Sequence, residues 1–335
     1  MASSSRAGTS GVSRKIVWLA IAVVLAIALY TGGWFYAASW LKDRVTQELA
    51  ASQQGLHSAS CSNPDVRGFP FRIGVFCDAV GFDDRPTGLS ATFGALRSAA
   101  QVYWPGHAVV EIDGPAQVRM TPDIVFDADW SLLHASVVAG TDGLDRASVA
   151  YDGLKGTLNA PSEGLTVAVS ATHGEKHVRR SGEALDVAVS LQALTLGLKD
   201  KVLPPVDVAL DMTIADAARW LSKEGVPGTV PRGTSTELRA LSLDLGGGKT
   251  VTLSGPVSVD DEGYVSGALD LTVEGVDAWR DRISELFPQT AKTARKVASA
   301  IKSLSGGQDR ASVKLTLRQG TVYLAFFPIG EIPPL

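Results

Sequence analysis

The chain has 335 residues, 45% of them hydrophobic and 20% charged, proportions of a globular protein that exclude a disordered, collagenous or multi-span membrane chain as a whole. With 31 basic against 35 acidic residues the net charge is −4, so no nucleic acid is an obvious partner. Two cysteines are too few for a disulfide scaffold or a four-thiolate zinc site.

In chain order, residues 1–15 form a basic tail in which Arg6, Arg14 and Lys15 meet no acidic residue. Ile16 to Trp40 then runs without a charge, and at about 1.5 Å per residue it is long enough to cross a hydrocarbon layer of about 30 Å. The basic flank puts the N-terminus in the cytoplasm and everything after Trp40 outside. Trp18 at one end, and Tyr30, Trp34, Tyr36 and Trp40 at the other, suit the aromatic belts of the two interfaces. A cleaved signal peptide is the competing reading, with Ala37-Ala38-Ser39 as its cleavage site; the bulky aromatics around that site favour the uncleaved anchor, and both readings export the remainder.

Residues 41–55 continue as an amphipathic juxtamembrane helix, with Leu41, Val45 and Leu49 at helical spacing and Gly55 as the stop. From 56 to 335 the texture is that of strands and turns: period-two alternation rich in Val, Thr and Leu, punctuated by Gly, Asp and Pro. The fold class expected is α+β and β-rich, a curved, mostly antiparallel sheet with a few covering helices. A hexapeptide recurs at Ala184–Val189, Ala209–Ile214 and Ala268–Val273, apolar at its second, fourth and sixth positions, from a partial duplication or from β-propensity alone. Two copies lead into segments expected as similar helices, with Asp216 and Asp277 as candidate N-caps. The longest helical pattern outside the membrane is Val276 to Leu304, broken at Pro288, after which Lys292, Arg295, Lys296 and Lys302 make a basic face opposite an apolar stripe. Val313–Leu317 and Thr321–Phe326, separated by Gln319-Gly320, read as a terminal hairpin.

Few constellations carry chemistry. Cys61 and Cys77 lie in the exported part, where oxidation favours a structural disulfide over a free buried pair, and their spacing is not that of a redox Cys-x-x-Cys. Gly246-Gly247-Gly248-Lys249-Thr250 lacks the first glycine of a phosphate loop, and the alternating flanks make it a hairpin turn. His173 and His177, four apart without the metalloprotease pattern, read as incidental histidines in a polar connection between strands. No catalytic, metal or cofactor-binding residue stands out, and no cofactor is expected.

The basic flank with a single anchor, the juxtamembrane Trp, the cysteine pair bracketing Gly68-Phe69-Pro70-Phe71-Arg72, and the terminal Gly320–Leu324 followed by Pro328–Leu335 resemble the bacterial proteins grouped as domain of unknown function 2125. The resemblance spans nearly the whole chain and implies a protein anchored in the inner membrane and facing the periplasm, without lending catalytic residues. A looser likeness is to AsmA-like envelope proteins, whose single anchor precedes a long curled sheet with a lipid-carrying hydrophobic interior.

These readings converge on a non-enzymatic, single-pass protein of the bacterial inner membrane with a periplasmic domain. Leu269, Leu271, Val273, Leu315, Leu317, Val322, Leu324 and Phe326 are expected to line one apolar sheet face holding lipid, with Lys292, Arg295 and Lys296 near a headgroup. A periplasmic scaffold or partner-binding module with a closed core is the alternative, its partner another envelope protein, and an envelope hydrolase with dispersed groups is the third.

Overall fold

The computed structural model describes residues 10–121, 123–198, 201–222 and 232–335; the start of the basic tail, including Arg6, lies outside them. One continuous helix, α1 (Ser10–Ser52), merges the expected anchor and juxtamembrane segments. It is long and apolar enough to cross a membrane, and no residue of its most apolar stretch is buried by the rest of the protein. Only near its C-terminal half does it touch the domain: Trp34 and Ala38 are buried, Ser52 Oγ accepts from the Ala59 amide at 3.1 Å, and Lys42 faces Asp65 at 3.4 Å.

Everything beyond is one antiparallel meander. Its first ten strands are five long strands, each interrupted once: β1 (His57–Cys61) with β2 (Asp65–Arg67), β3 (Arg72–Cys77) with β4 (Val80–Asp84), β5 (Leu89–Phe93) with β6 (Leu96–Gln101), β7 (Trp104–Ile112) with β8 (Ala116–Thr121), and β9 (Ile124–Asp129) with β10 (Leu132–Ala139). The pairings show this: β2 joins β3 where β1 joins β4, and β10 joins the first half of β11 (Leu144–Ala160) where β9 joins the second. The sheet continues through β12 (Leu165–Ser181), β13 (Ala184–Leu198) with the short β14 (Lys201–Val202) at its end, β15 (Val206–Ile214), β16 (Ser235–Asp244), β17 (Thr250–Val259), β18 (Val265–Glu274), β19 (Arg310–Arg318), β20 (Thr321–Leu324) and β21 (Phe327–Glu331). The sheet is curved and does not close on itself.

A crease crosses the strands at mid-length. On β13 the apolar positions are Leu185, Val187, Val189 and Leu191 before it and Leu194, Leu196 and Leu198 after it, and Ala193, in the left-handed region at φ 50°, absorbs the extra step. Gly153 on β11 (φ 64°) and Asn63 between β1 and β2 (φ 51°) do the same. An extra residue at one level in successive strands bends them together, as a bulge does, and keeps the apolar positions on one side. Cys61 and Cys77 form a disulfide at this level, Cα to Cα 5.3 Å, clamping the ends of β1 and β3. Gly74 on β3 is obligatory for another reason, because a Cβ there would strike the Ser98 carbonyl of β6.

The three hexapeptide copies are β13, β15 and β18, and the first two pair directly, Val187 opposite Met212. The helices expected after them are unlike each other. Asp216 caps nothing: it sits at φ 52°, before a single turn of tighter helix at Ala218–Leu221. After β18 comes α2 (Val276–Leu286), whose N-cap is Gly275 at φ 72°; Asp277 lies in the first turn, where it meets Arg280 and Lys302, each at 2.6 Å. Pro288 interrupts the pattern as expected, and α3 (Ala291–Leu304) follows. Gly246–Lys249 is the hairpin turn between β16 and β17, closed by the Leu245 amide on the Lys249 carbonyl at 3.0 Å.

Candidate apolar groove

Residues opposed in an antiparallel ladder share a face, so the register traces which side chains form a surface. One row runs Val110, Ala135, Val149, Lys176, Val189, Leu210, Leu241, Leu253, Leu271 and Val313, from β7 to β19. The row on one side of it starts at Ile73 and passes through Ala100, Ala108, Val137, Ala147, Val178 and Val187 to Met212 and Leu238. The row on the other side includes Leu133, Tyr151, Leu191, Val208, Leu243, Val251 and Val273. Lys176 is the one charged residue in the three. It is exposed, whereas its row neighbours Val149 and Val189 are half-buried. Beyond the crease the apolar face continues through Phe82, Ala91, Val118, Phe126, Leu158, Val167 and Leu198.

The cover over this face is uneven. At the C-terminal end α2 and α3 lay Val276, Ala298 and Ile301 on Leu238, Leu269, Val273, Val313, Leu315, Leu317 and Leu324, a buried cluster with Leu271 and Val322 packed at its margin. A second, smaller cluster forms where Ala217 and Leu221 fold over Leu185, Val187 and Ile214. Between β6 and β11 the row residues named above are half-buried, and neither α2 nor α3 covers them; on β12 Val178 already meets the edge of the second cluster. Seven of the eight residues expected on one apolar face are therefore brought together, but under helices. Phe326 is not with them: it occupies the two-residue turn between β20 and β21, where Leu324 pairs with Phe327, and is 78% exposed. The strand ends two residues earlier than its alternation implied because Ala325 adopts φ 55°. Lys292, Arg295 and Lys296 are exposed on α3, on the side away from Ala298 and Ile301.

The opposite face is polar. It carries a trough of about 770 Å³ over the ends of β5, β8, β9 and β11–β14, bordered by Thr92, Gln117, Asp127, Thr157, Ala168 and Gly197. These belong to the register row next to Ala91, Val118 and Phe126 and so point the other way. The histidine pair also lies here, within β12 rather than in a connection: His177 Nδ1 is 2.9 Å from Ser148 Oγ, Glu175 bridges His177 and His173 at 3.2 Å each, and His173 Nδ1 meets Asp152 at 2.7 Å. Asp152, and then Glu175, raise the His173 imidazole above its ordinary value, while His177 and His173 hold the Glu175 carboxyl below its own. Alternation along β12 was the signal that could have placed the pair, since Leu165, Val167 and Val169 point to a run extending past Ala171. Nearby, Asp186 takes hydrogen bonds from Arg179 and Thr213 at 2.7 Å each and from Arg239, which also grips Asp211. Chiefly through Arg179, and then Thr213 and Arg239, the Asp186 carboxyl is held down to about 2. These contacts form a cross-strand polar ladder of the kind that stabilises the wet side of a sheet. No cluster able to hold a metal ion occurs among the described residues.

A family model described as an uncharacterized protein conserved in bacteria (DUF2125) matches residues 34–333, and the chain belongs to that family. No curated protein and no solved structure matches the chain.

Proposed function

For this family member we propose a membrane-anchored envelope protein without enzymatic activity that binds or shuttles lipid along the apolar face of its sheet. The N-terminus is cytoplasmic and the domain periplasmic, because three basic residues, Arg6, Arg14 and Lys15, precede the uncharged run from Ile16 to Trp40 against two, Lys42 and Arg44, just after it. The observation that carries the reading is the uneven cover: the row from Ile73 is apolar across nine strands and the row from Val110 across ten but for Lys176, yet helical segments close them only from β13 onward. Burying a leucine-sized side chain is worth about 1.5–3 kcal/mol, so a half-covered face of this length favours an acyl chain laid across the strands. Lys176, alone among these apolar neighbours and free to reach outward, suits an anionic headgroup better than the basic side of α3, which points away from the core. The buried cluster under α3 favours the second reading, a scaffold that binds another envelope protein with its core closed.

The test is mass spectrometry of small molecules that copurify with the exported domain, residues 41–335. Val110→Glu, set in the uncovered part of the face, should abolish the bound lipid while leaving the strand signal in circular dichroism intact. A folded domain that carries no lipid in either form overturns the transport reading in favour of the scaffold.

A further inference from the structure

We propose that the tips of two neighbouring hairpins, residues 68–71 between β2 and β3 and residues 102–104 between β6 and β7, dip into the bilayer leaflet on the domain's side and seat the strand ends on the membrane. The inference rests on α1 being a membrane anchor and adds a second attachment to it. Counting from Ile16 at about 1.5 Å per residue, a hydrocarbon layer of about 30 Å is used up near Phe35.

The domain's contacts with α1 begin within that depth. Tyr30 Oη donates to the Pro70 carbonyl at 2.5 Å and Trp34 Nε1 to the Arg72 carbonyl at 2.9 Å. The Phe69 ring stacks on Phe35 with centroids 5.6 Å apart and meets Trp34 edge-on at 5.5 Å. A loop that touches the helix at Tyr30 and Trp34 shares their position along the bilayer normal. The second tip is held level with the first by the Val102 amide, which donates to the Phe71 carbonyl at 3.1 Å.

Chemistry agrees with that depth. Phe71 is 67% exposed, Tyr103 76% and Trp104 50%, and no residue in 68–71 or 102–106 is charged. Trp and Tyr side chains, apolar with one polar atom, favour the headgroup boundary, and the exposed Arg72 just behind Phe71 is placed for phosphate. Ile73, Ala100 and Ala108 open an apolar row a few residues from both tips, so seating them also brings the start of the candidate groove to the lipid.

The test uses the full chain in vesicles of phosphatidylethanolamine and phosphatidylglycerol, with Tyr103→p-benzoylphenylalanine as photoprobe and Val202→p-benzoylphenylalanine as control at the opposite ends of the strands. Irradiation should add the mass of one phospholipid at residue 103 and leave residue 202 without the adduct. Carbonate extraction of the same samples reports the anchor separately. Protein that stays with the vesicles but shows no preference for residue 103 overturns the docking and leaves the anchor standing; protein released by carbonate overturns both.

Discussion

Asp186 shows how much a single residue on the wet face contributes. Arg179, Thr213 and Arg239 converge on its carboxylate, and in the folded protein the group is held down to about 2 from an ordinary value of 3.8. A carboxylate with a depressed value adds stability above its unfolded value, and that stability is lost as pH falls from about 4 toward 2. Asp186 is only 14% exposed, but Arg179 is 68% exposed and Arg239 40%, so water screens much of the interaction and about 1 kcal/mol is a fair size for it. Asp186→Asn should therefore lower stability by about that amount at pH 7, with the difference from the unsubstituted protein shrinking below pH 4. Urea unfolding midpoints at pH 7 and pH 3 check it. The Cys61–Cys77 disulfide acts on the unfolded chain instead, where closing a loop of this length is worth about 3 kcal/mol in the chain-entropy model.

At the scale of the element, α3 is the piece that turns a sheet face into a core. Its two sides differ sharply: Ala298 and Ile301 are 6% and 5% exposed against the strands, while Lys292, Arg295 and Lys296 face water. Ile301→Ala should cost about 3 kcal/mol by leaving a cavity among Val273, Val313 and Leu315, whereas Lys296→Ala should change stability by less than about 0.5 kcal/mol. Thermal or denaturant unfolding of the two variants distinguishes a covering helix from one that merely decorates the surface. The single helical turn at Ala218–Leu221 does the same job on a smaller scale, and there the expectation of a full helix failed. Five residues suffice to lay Ala217 and Leu221 over Leu185 and Ile214, and Asp216, in the left-handed region at φ 52°, precedes them.

For the whole molecule the decisive property is direction. A meander that begins beside one apolar helix has its first strands next to that helix and its last ones, under α2 and α3, at the far end of the sheet. A reporter fused after Leu335 should be active only outside the cytoplasm, and the mature protein should retain its N-terminus. Alkaline phosphatase activity of the fusion and N-terminal mass mapping check the two parts, and a cytoplasmic C-terminus would refute the orientation outright.

Local physics made much of this architecture legible beforehand. The long apolar helix needs only uninterrupted apolar length, the strands only period-two alternation, the hairpin at Gly246–Lys249 only its glycines, and the break before α3 only Pro288; each signal lies within a few residues of the element it specifies. The family resemblance was likewise readable, because it rested on contiguous residues around Gly68–Arg72 and the two cysteines, and the match over residues 34–333 agrees with it. Three features depended on the tertiary structure. Which part of the apolar face lies open depends on where α3 comes to rest, a packing outcome that turned seven expected groove residues into core and left the uncovered stretch around Val110 and Val149. The crease depends on Gly153, Ala193 and Asn63 falling at one level, which only the register between strands can align. The juxtaposition of Phe69, Phe71 and Tyr103 with Tyr30 and Trp34 joins residues some 30 to 70 positions apart in sequence, and no periodicity reaches that far.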